Sequence, residues 1–132
     1  MAAGDPITLT KTTITALNTD TALTLNAADA DTNDLAQKFY YTPAAKEHKV
    51  ALGFQVANSH GAVSFAITKG ARVFGTAANK TFTTAQATTD IIQIETGKYM
   101  LADGTIEITA TPASGKKLTT DHALKIFVIE LL

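Results

Sequence analysis

The chain has 132 residues, a formal net charge of −1 and no cysteine. That length suits one domain, able to bury roughly two-thirds of the surface its unfolded form exposes. The near-neutral charge speaks against a phosphate-tracking surface and so against a nucleic-acid partner, and the lack of cysteine removes disulfides, thiolate metal sites and a cysteine nucleophile. Charged residues make up only 17% of the chain. Threonine and alanine fill much of the gap: threonine matches the pleated surface of a strand, and alanine lets neighbouring chains approach closely. No run reaches the ~18 apolar residues of a membrane-spanning helix, and MAAGDPITLT has no basic stretch leading into an apolar core, so neither a membrane span nor a signal peptide is expected.

In chain order, Met1, Ala2, Ala3, Gly4, Asp5 and Pro6 read as a flexible arm, with residues 7–132 as one domain. Ile7 to Thr15 (ITLTKTTIT) reads as the first strand. A turn follows at Asn18-Thr19-Asp20, then a second short strand over Thr21 to Leu25 with Leu23 and Leu25 on one side. In the acidic stretch Asn26 to Ala36, Asp29, Asp31 and Asn33 match the first ligands of a calcium-binding loop. Asp34 stands where that loop needs glycine, however, and Tyr40 where it needs a bidentate glutamate, so an ordinary loop is expected. Gln37 to Thr42 (QKFYYT) is a strand that alternation divides into buried Phe39 and Tyr41 and outward Tyr40.

From His48 to Gly70 the chain reads as a hairpin. Val50, Leu52, Phe54 and Val56 form one inward row, Asn58 to Gly61 the turn, and Val63, Phe65 and Ile67 the returning row, with Gly61 free to take a positive φ. Arg72-Val73-Phe74 is a short extended piece. Thr76 to Thr89 is a polar connector with an edge strand or an ordered loop around Phe82, and its Asn79-Lys80-Thr81 sequon matters only in a eukaryotic secretory context. Asp90 to Glu95 places Ile92 and Ile94 inward, with Ile91 outward or at an edge. Thr105 to Thr111 places Ile106, Ile108 and Ala110 inward and is stopped by Pro112. The last strand, Ala123 to Leu132 (ALKIFVIELL), is apolar on both sides, with Leu124, Ile126 and Val128 on one face and Phe127, Ile129 and Leu131 on the other. Such a strand is either covered twice within the domain or offers its second face to a partner. About seven to nine short strands spaced by turns imply an all-β, single-domain antiparallel β-sandwich or small barrel-like sandwich.

Catalytic chemistry is not expected. His48, His60 and His122 lack the spacing of a zinc site and read as solvated, no serine sits in a setting that suggests a nucleophile with its base, and no phosphate- or dinucleotide-binding glycine motif occurs. The expectation is a non-enzyme without metal or cofactor.

Taken in order, the segments resemble the small head-decoration (capsid cement) proteins of tailed bacteriophages and prophages. The Thr-rich opening, the Ala-Ala-Asp-Ala-Asp loop at Ala27 to Asp31 and the KVALGFQVAN segment at Lys49 to Asn58 carry the likeness. So do VSFAI, the Gly-Lys-Tyr step at Gly97 to Tyr99 leading to GTIEITAT, and the closing KIFVIELL. The resemblance covers most of the chain, and Thr76 to Thr89 matches it least. It implies a virion protein, made in the host cytoplasm, that binds the outside of an assembled capsid in many copies. Its partner would be the major capsid protein, with copies of itself as a second candidate. The candidate contacts come from exposure and not from the family: Met1, Ala2, Ala3, Gly4, Asp5 and Pro6 of the arm, and Phe127, Ile129 and Leu131 of the last strand. Two other classes compete. One is an Ig-like or carbohydrate-binding module using Phe39, Tyr40 and Tyr41, and the other is a self-assembling shell or filament subunit.

Overall fold

The structure, a computed structural model, describes residues 4–16, 20–44, 49–71 and 78–131, with the side chain of residue 131 outside that description. Ten strands lie among the described residues: β1 (Ile7–Thr8), β2 (Thr12–Ile14), β3 (Asn26–Ala27), β4 (Gln37–Tyr41), β5 (Lys49–Val56), β6 (Val63–Ile67), β7 (Lys80–Thr84), β8 (Thr88–Glu95), β9 (Ile106–Thr111) and β10 (Lys125–Leu131). A single helical turn, α1 (Thr96–Tyr99), follows β8. One sheet runs β1-β4-β9-β6-β7. The other runs β2-β10-β5-β8, with β3 pairing the start of β10.

The fold is an all-β sandwich. Its core is built from the rows that alternation singles out: Phe39 and Tyr41 on β4, Val50, Leu52, Phe54 and Val56 on β5, Val63, Phe65 and Ile67 on β6, Ile106, Ile108 and Ala110 on β9, and Ile126 and Val128 on β10. Ile94 is buried and Ile91 exposed, in the order expected. Phe54 of one sheet packs on Phe65 of the other with centroids 4.6 Å apart, and Phe82 of β7 closes the cluster at 4.9 and 5.3 Å. Such aromatic contacts add about 0.5–1.5 kcal/mol each beyond the area they bury.

The expected hairpin from His48 to Gly70 is not a hairpin. β5 pairs with β8 and β10, and β6 with β7 and β9, so the two strands lie in opposite sheets and face each other across the core. Residues 57–62 form a corner, not a two-strand turn. Gly61 takes φ +103° there and donates its N–H to Gln86 Oε1 at 2.9 Å. Asn58 reaches the Thr120 carbonyl at 2.9 Å, and the Ala57 N–H reaches the His122 carbonyl at 3.1 Å. These outside partners satisfy the corner without a hairpin ladder.

Other expectations need correction too. The single strand expected over Ile7 to Thr15 is broken at Leu9 to Lys11 and feeds both sheets: β1 pairs parallel with β4, and β2 pairs parallel with β10. The sheets are therefore mixed and not purely antiparallel. Thr21 to Leu25 forms no strand, and Leu23 and Leu25 are exposed. The arm is tied down before Pro6. The Gly4 N–H donates to Asp29 Oδ1 at 3.0 Å, and the Asp5 carbonyl accepts from Gln37 Nε2 at 2.9 Å. Met1, Ala2, Ala3, His48 and the Arg72-Val73-Phe74 piece lie outside the described residues.

Gly53 sets one close approach. It pairs with Phe127, and a Cβ at Gly53 would sit 1.9–2.3 Å from three ring atoms. Gly53→Ala is therefore expected to cost about 1–3 kcal/mol, the usual penalty of overpacking. Because the clash is with one side chain, Gly53→Ala combined with Phe127→Leu should lose less than the sum of the two single losses. Urea unfolding of the four variants measures this.

Candidate functional site

With both inner faces committed to the core, the outer faces are what the chain can present. On the second sheet, β10 turns Lys125, Phe127 and Ile129 outward. Phe127 is only 5% exposed despite facing out, because its ring lies over the bare backbone of Gly53. Ile129 is half-buried beside Thr12, its register partner on β2. Thr12 Oγ1 accepts the Thr24 N–H at 2.9 Å, which brings the exposed Leu23 and Leu25 alongside that pair. Across β5, Ile91 stands opposite Gly53 and is exposed. The result is an apolar stripe across the sheet, from Leu23 and Leu25 past Ile129 and Phe127 to Ile91. Of the three residues expected to form this face, Ile129 contributes surface, Phe127 is filled in by its own chain, and the Leu131 side chain lies outside the description.

The outer face of the first sheet is polar and mostly uncharged. Ser64 and Ala66 of β6, Thr81 and Thr83 of β7 and Thr111 of β9 line a shallow depression of ≈ 460 Å³ with Phe65 and Phe82 beneath it. Beside it, Glu107 accepts hydrogen bonds from Tyr40 Oη and Thr68 Oγ1, each at 2.8 Å, and pairs with Lys38 Nζ at 3.6 Å. Partial burial works against its ionisation, but the two hydroxyls and the ammonium outweigh burial and hold its carboxyl below the usual carboxylate range. The hydrogen bond to Glu107 in turn raises the Tyr40 hydroxyl, reinforced by desolvation and the carboxylate charge. A carboxylate with three donors already on it and a lowered pKa is a poor base. Tyr40 is also the one ring of Phe39-Tyr40-Tyr41 that faces outward, since Phe39 is 0% and Tyr41 1% exposed. The aromatic cluster is thus divided between the core and the surface.

The acidic loop is internally satisfied. Asp29 accepts from Gly4 and Gln37, Asp31 from Thr119 Oγ1 at 2.9 Å with Lys117 Nζ at 3.6 Å, and Asp34 from the Gly115 N–H at 2.6 Å. Among the described residues no group of three or more His, Asp or Glu side chains converges as a metal site would.

Two buried ionisable residues were not anticipated from the sequence. Glu130, expected only as part of an apolar strand, faces inward on β10 with no exposure. It pairs with Lys11 Nζ at 3.2 Å and accepts the Ala44 N–H at 3.2 Å, tying β10 to the β1–β2 link and to the chain leaving β4. His122, expected to be solvated, is fully buried. Its Nε2 accepts the Ala113 N–H at 3.1 Å, and its carbonyl accepts from the corner. His60 is exposed, as expected.

His122 makes stability depend on pH. Burial lowers its pKa. Asp121 pulls it up, His60 pushes it down, the Gly61 backbone raises it, and Lys116 lowers it again, with a net shift downward. A neutral ring accepting at Nε2 carries its proton on Nδ1, and a second proton at Nε2 would oppose the Ala113 N–H. The histidine's contribution is therefore complete above its unfolded value of about 6.5 and is lost as pH falls through the lower folded value, because the unfolded chain takes the proton first. Stability measured by denaturant titration is expected to fall as pH drops below ~6.5. His122→Gln should be less stable at pH ~8 and flatter across that window, while Glu107, lowered in the folded state, acts only in the more acidic carboxylate range.

Comparison with protein-family models, with curated proteins and with solved structures finds no match to this chain.

Proposed function

We propose that this chain is a non-enzymatic structural protein of a phage virion, made in the host cytoplasm, that binds the outer surface of the assembled capsid in many copies and stabilises the shell through contacts with the major capsid protein. The observation that carries this reading is the apolar stripe on the outer face of the second sheet, with Leu23 at 42%, Leu25 at 44% and Ile91 at 62% exposure on a chain of low charge. Apolar side chains grouped on one outer sheet face mark an interaction surface more often than chance exposure does. The order of segments, which resembles head-decoration proteins, supplies the partner class. A small patch per copy is enough when each copy bridges adjacent capsid subunits, because the second contact then forms at high effective concentration. The opposite face supports this by what its groups can do: hydroxyls, methyls and an occupied carboxylate position nothing for bond-making chemistry.

Purified protein mixed with undecorated capsids is expected to bind saturably, in fixed stoichiometry, and to raise the temperature at which the shell opens. Leu23→Asp combined with Leu25→Asp, at sites that carry no core side chain, should leave thermal unfolding of the isolated protein within a few degrees and weaken capsid binding by roughly tenfold or more, the effect of placing charge in an apolar contact. Absence of binding together with an unchanged shell would sink the proposal. A glycan titration is expected to give no saturable signal. A signal lost in Tyr40→Ala would move the assignment to a carbohydrate-binding module.

A further inference from the structure

A sheet edge is a row of backbone donors and acceptors with nothing opposite, and folded chains blunt such rows by keeping them short or by placing lysine or proline on them. Among the described residues, the other edges follow that rule. β1 has two residues directly after Pro6, β2 and β3 have three and two, and β7 has five and opens on Lys80. β8 is the least protected, the inward-side charge of Asp90 being its one blunting device. It has eight residues, TTDIIQIE, without lysine, arginine or proline, and it bonds along one side only, to β5. From Thr89 to Ile94 no backbone group outside β5 bonds to it among the described residues. At its centre stands Ile91, 62% exposed, the most exposed large apolar side chain described.

We propose that β8 pairs antiparallel with β8 of a second copy of this chain about a two-fold axis, continuing the second sheet through the dimer. The strand's own sequence argues for a copy as the occupant. A two-fold axis normal to the sheet keeps each residue on its own face, so outward residues meet outward residues. With the axis at Ile91, that residue meets its own copy and Thr89 meets Gln93. On the inward side Asp90 lies opposite Ile92 and Thr88 opposite Ile94. The two acidic groups of the strand, Asp90 and Glu95, never stand directly opposite each other, and the one like-charge pair, Asp90 with its own copy, is diagonal across the axis. Pairing gives the open backbone row partners and covers Ile91 in one step. β7, the edge of the first sheet joined to β8 through residues 85–87, lies on the same side of the sandwich, so both layers would run on into the second copy. This interface shares Ile91 with the apolar stripe of the capsid reading, but its partner is the chain itself, and capsid binding is tested separately at Leu23 and Leu25, toward the other edge of the sheet.

The test is sedimentation equilibrium of the full chain over a concentration series, with amide hydrogen exchange read by NMR at low and high concentration. The expected result is a reversible monomer–dimer equilibrium in which protection of β8 amides rises with concentration while that of β2 and β7 does not. Ile91→Lys should weaken the dimer by roughly tenfold or more, because two ammonium groups would face each other across the axis. Mixing Ile91→Lys with Ile91→Glu should restore association as a heterodimer. A chain that stays monomeric, a dimer indifferent to both substitutions, or protection gained at another edge would each overturn the proposal. The exchange measurement on the unaltered chain decides the matter even if a variant fails to fold.

Discussion

The contact on which the architecture depends is ring against ring across the sandwich, Phe54 of one sheet on Phe65 of the other. Neither sheet has a use for its inner row alone: each is a half-apolar surface that water would otherwise cover. Because the two rings belong to consecutive strands, the short corner between them must carry the chain from one layer to the other. The corner's polar groups are met by Gln86, by the Thr120 carbonyl and by the carbonyl of His122. The buried histidine follows from this arrangement. The 113–122 loop must lie against the corner to satisfy it, and His122 holds that loop by taking the Ala113 N–H. A local constraint at one end of the sandwich thus determines which polar groups are buried there.

Alternation in the sequence revealed which side chains face inward, and it did so well: Phe39 and Tyr41 against Tyr40, Ile94 against Ile91, and the row on β9 all lie where a period of two puts them. It could not reveal which strand lies beside which. A Val-Leu-Phe-Val row looks the same whether the next strand pairs with it or faces it across the core, and so the sandwich corner read as a hairpin. The Thr-rich opening misled for a related reason. Threonine suits strands in either sheet, and nothing in ITLTKTTIT marks the point at Leu9 to Lys11 where the chain changes layer. That Leu9 is buried and Lys11 reaches Glu130 is a tertiary matter.

The surface face was half legible. A last strand apolar on both sides left two possibilities, and the structure divides them residue by residue. Phe127 is internal to the chain, Ile129 is half-buried, and Leu23, Leu25 and Ile91 make the exposed part. What separates them is Gly53, whose missing side chain leaves room for the ring. A glycine in a strand signals a close approach, but it does not name the side chain that approaches. Glu130 illustrates the opposite failure. An apolar strand does not say what will meet its one acid, and the Lys11 ammonium and the Ala44 N–H are among the groups that make the inward position tenable.

The parallel pairing of β2 with β10 has a mechanical meaning. The first of these strands lies near the beginning of the described chain and the second at its end, and they run in the same direction with Thr12 beside Ile129 and Ile14 beside Leu131. Tension applied between the start of β2 and the end of β10 would pull the strands past each other along their length. The ladder bonds would then share the load together, where an antiparallel pair pulled from one end would open one bond at a time. The Lys11–Glu130 pair sits at the same seam and must part in the same event. The seam between β2 and β10 is thus one that resists sliding as a unit.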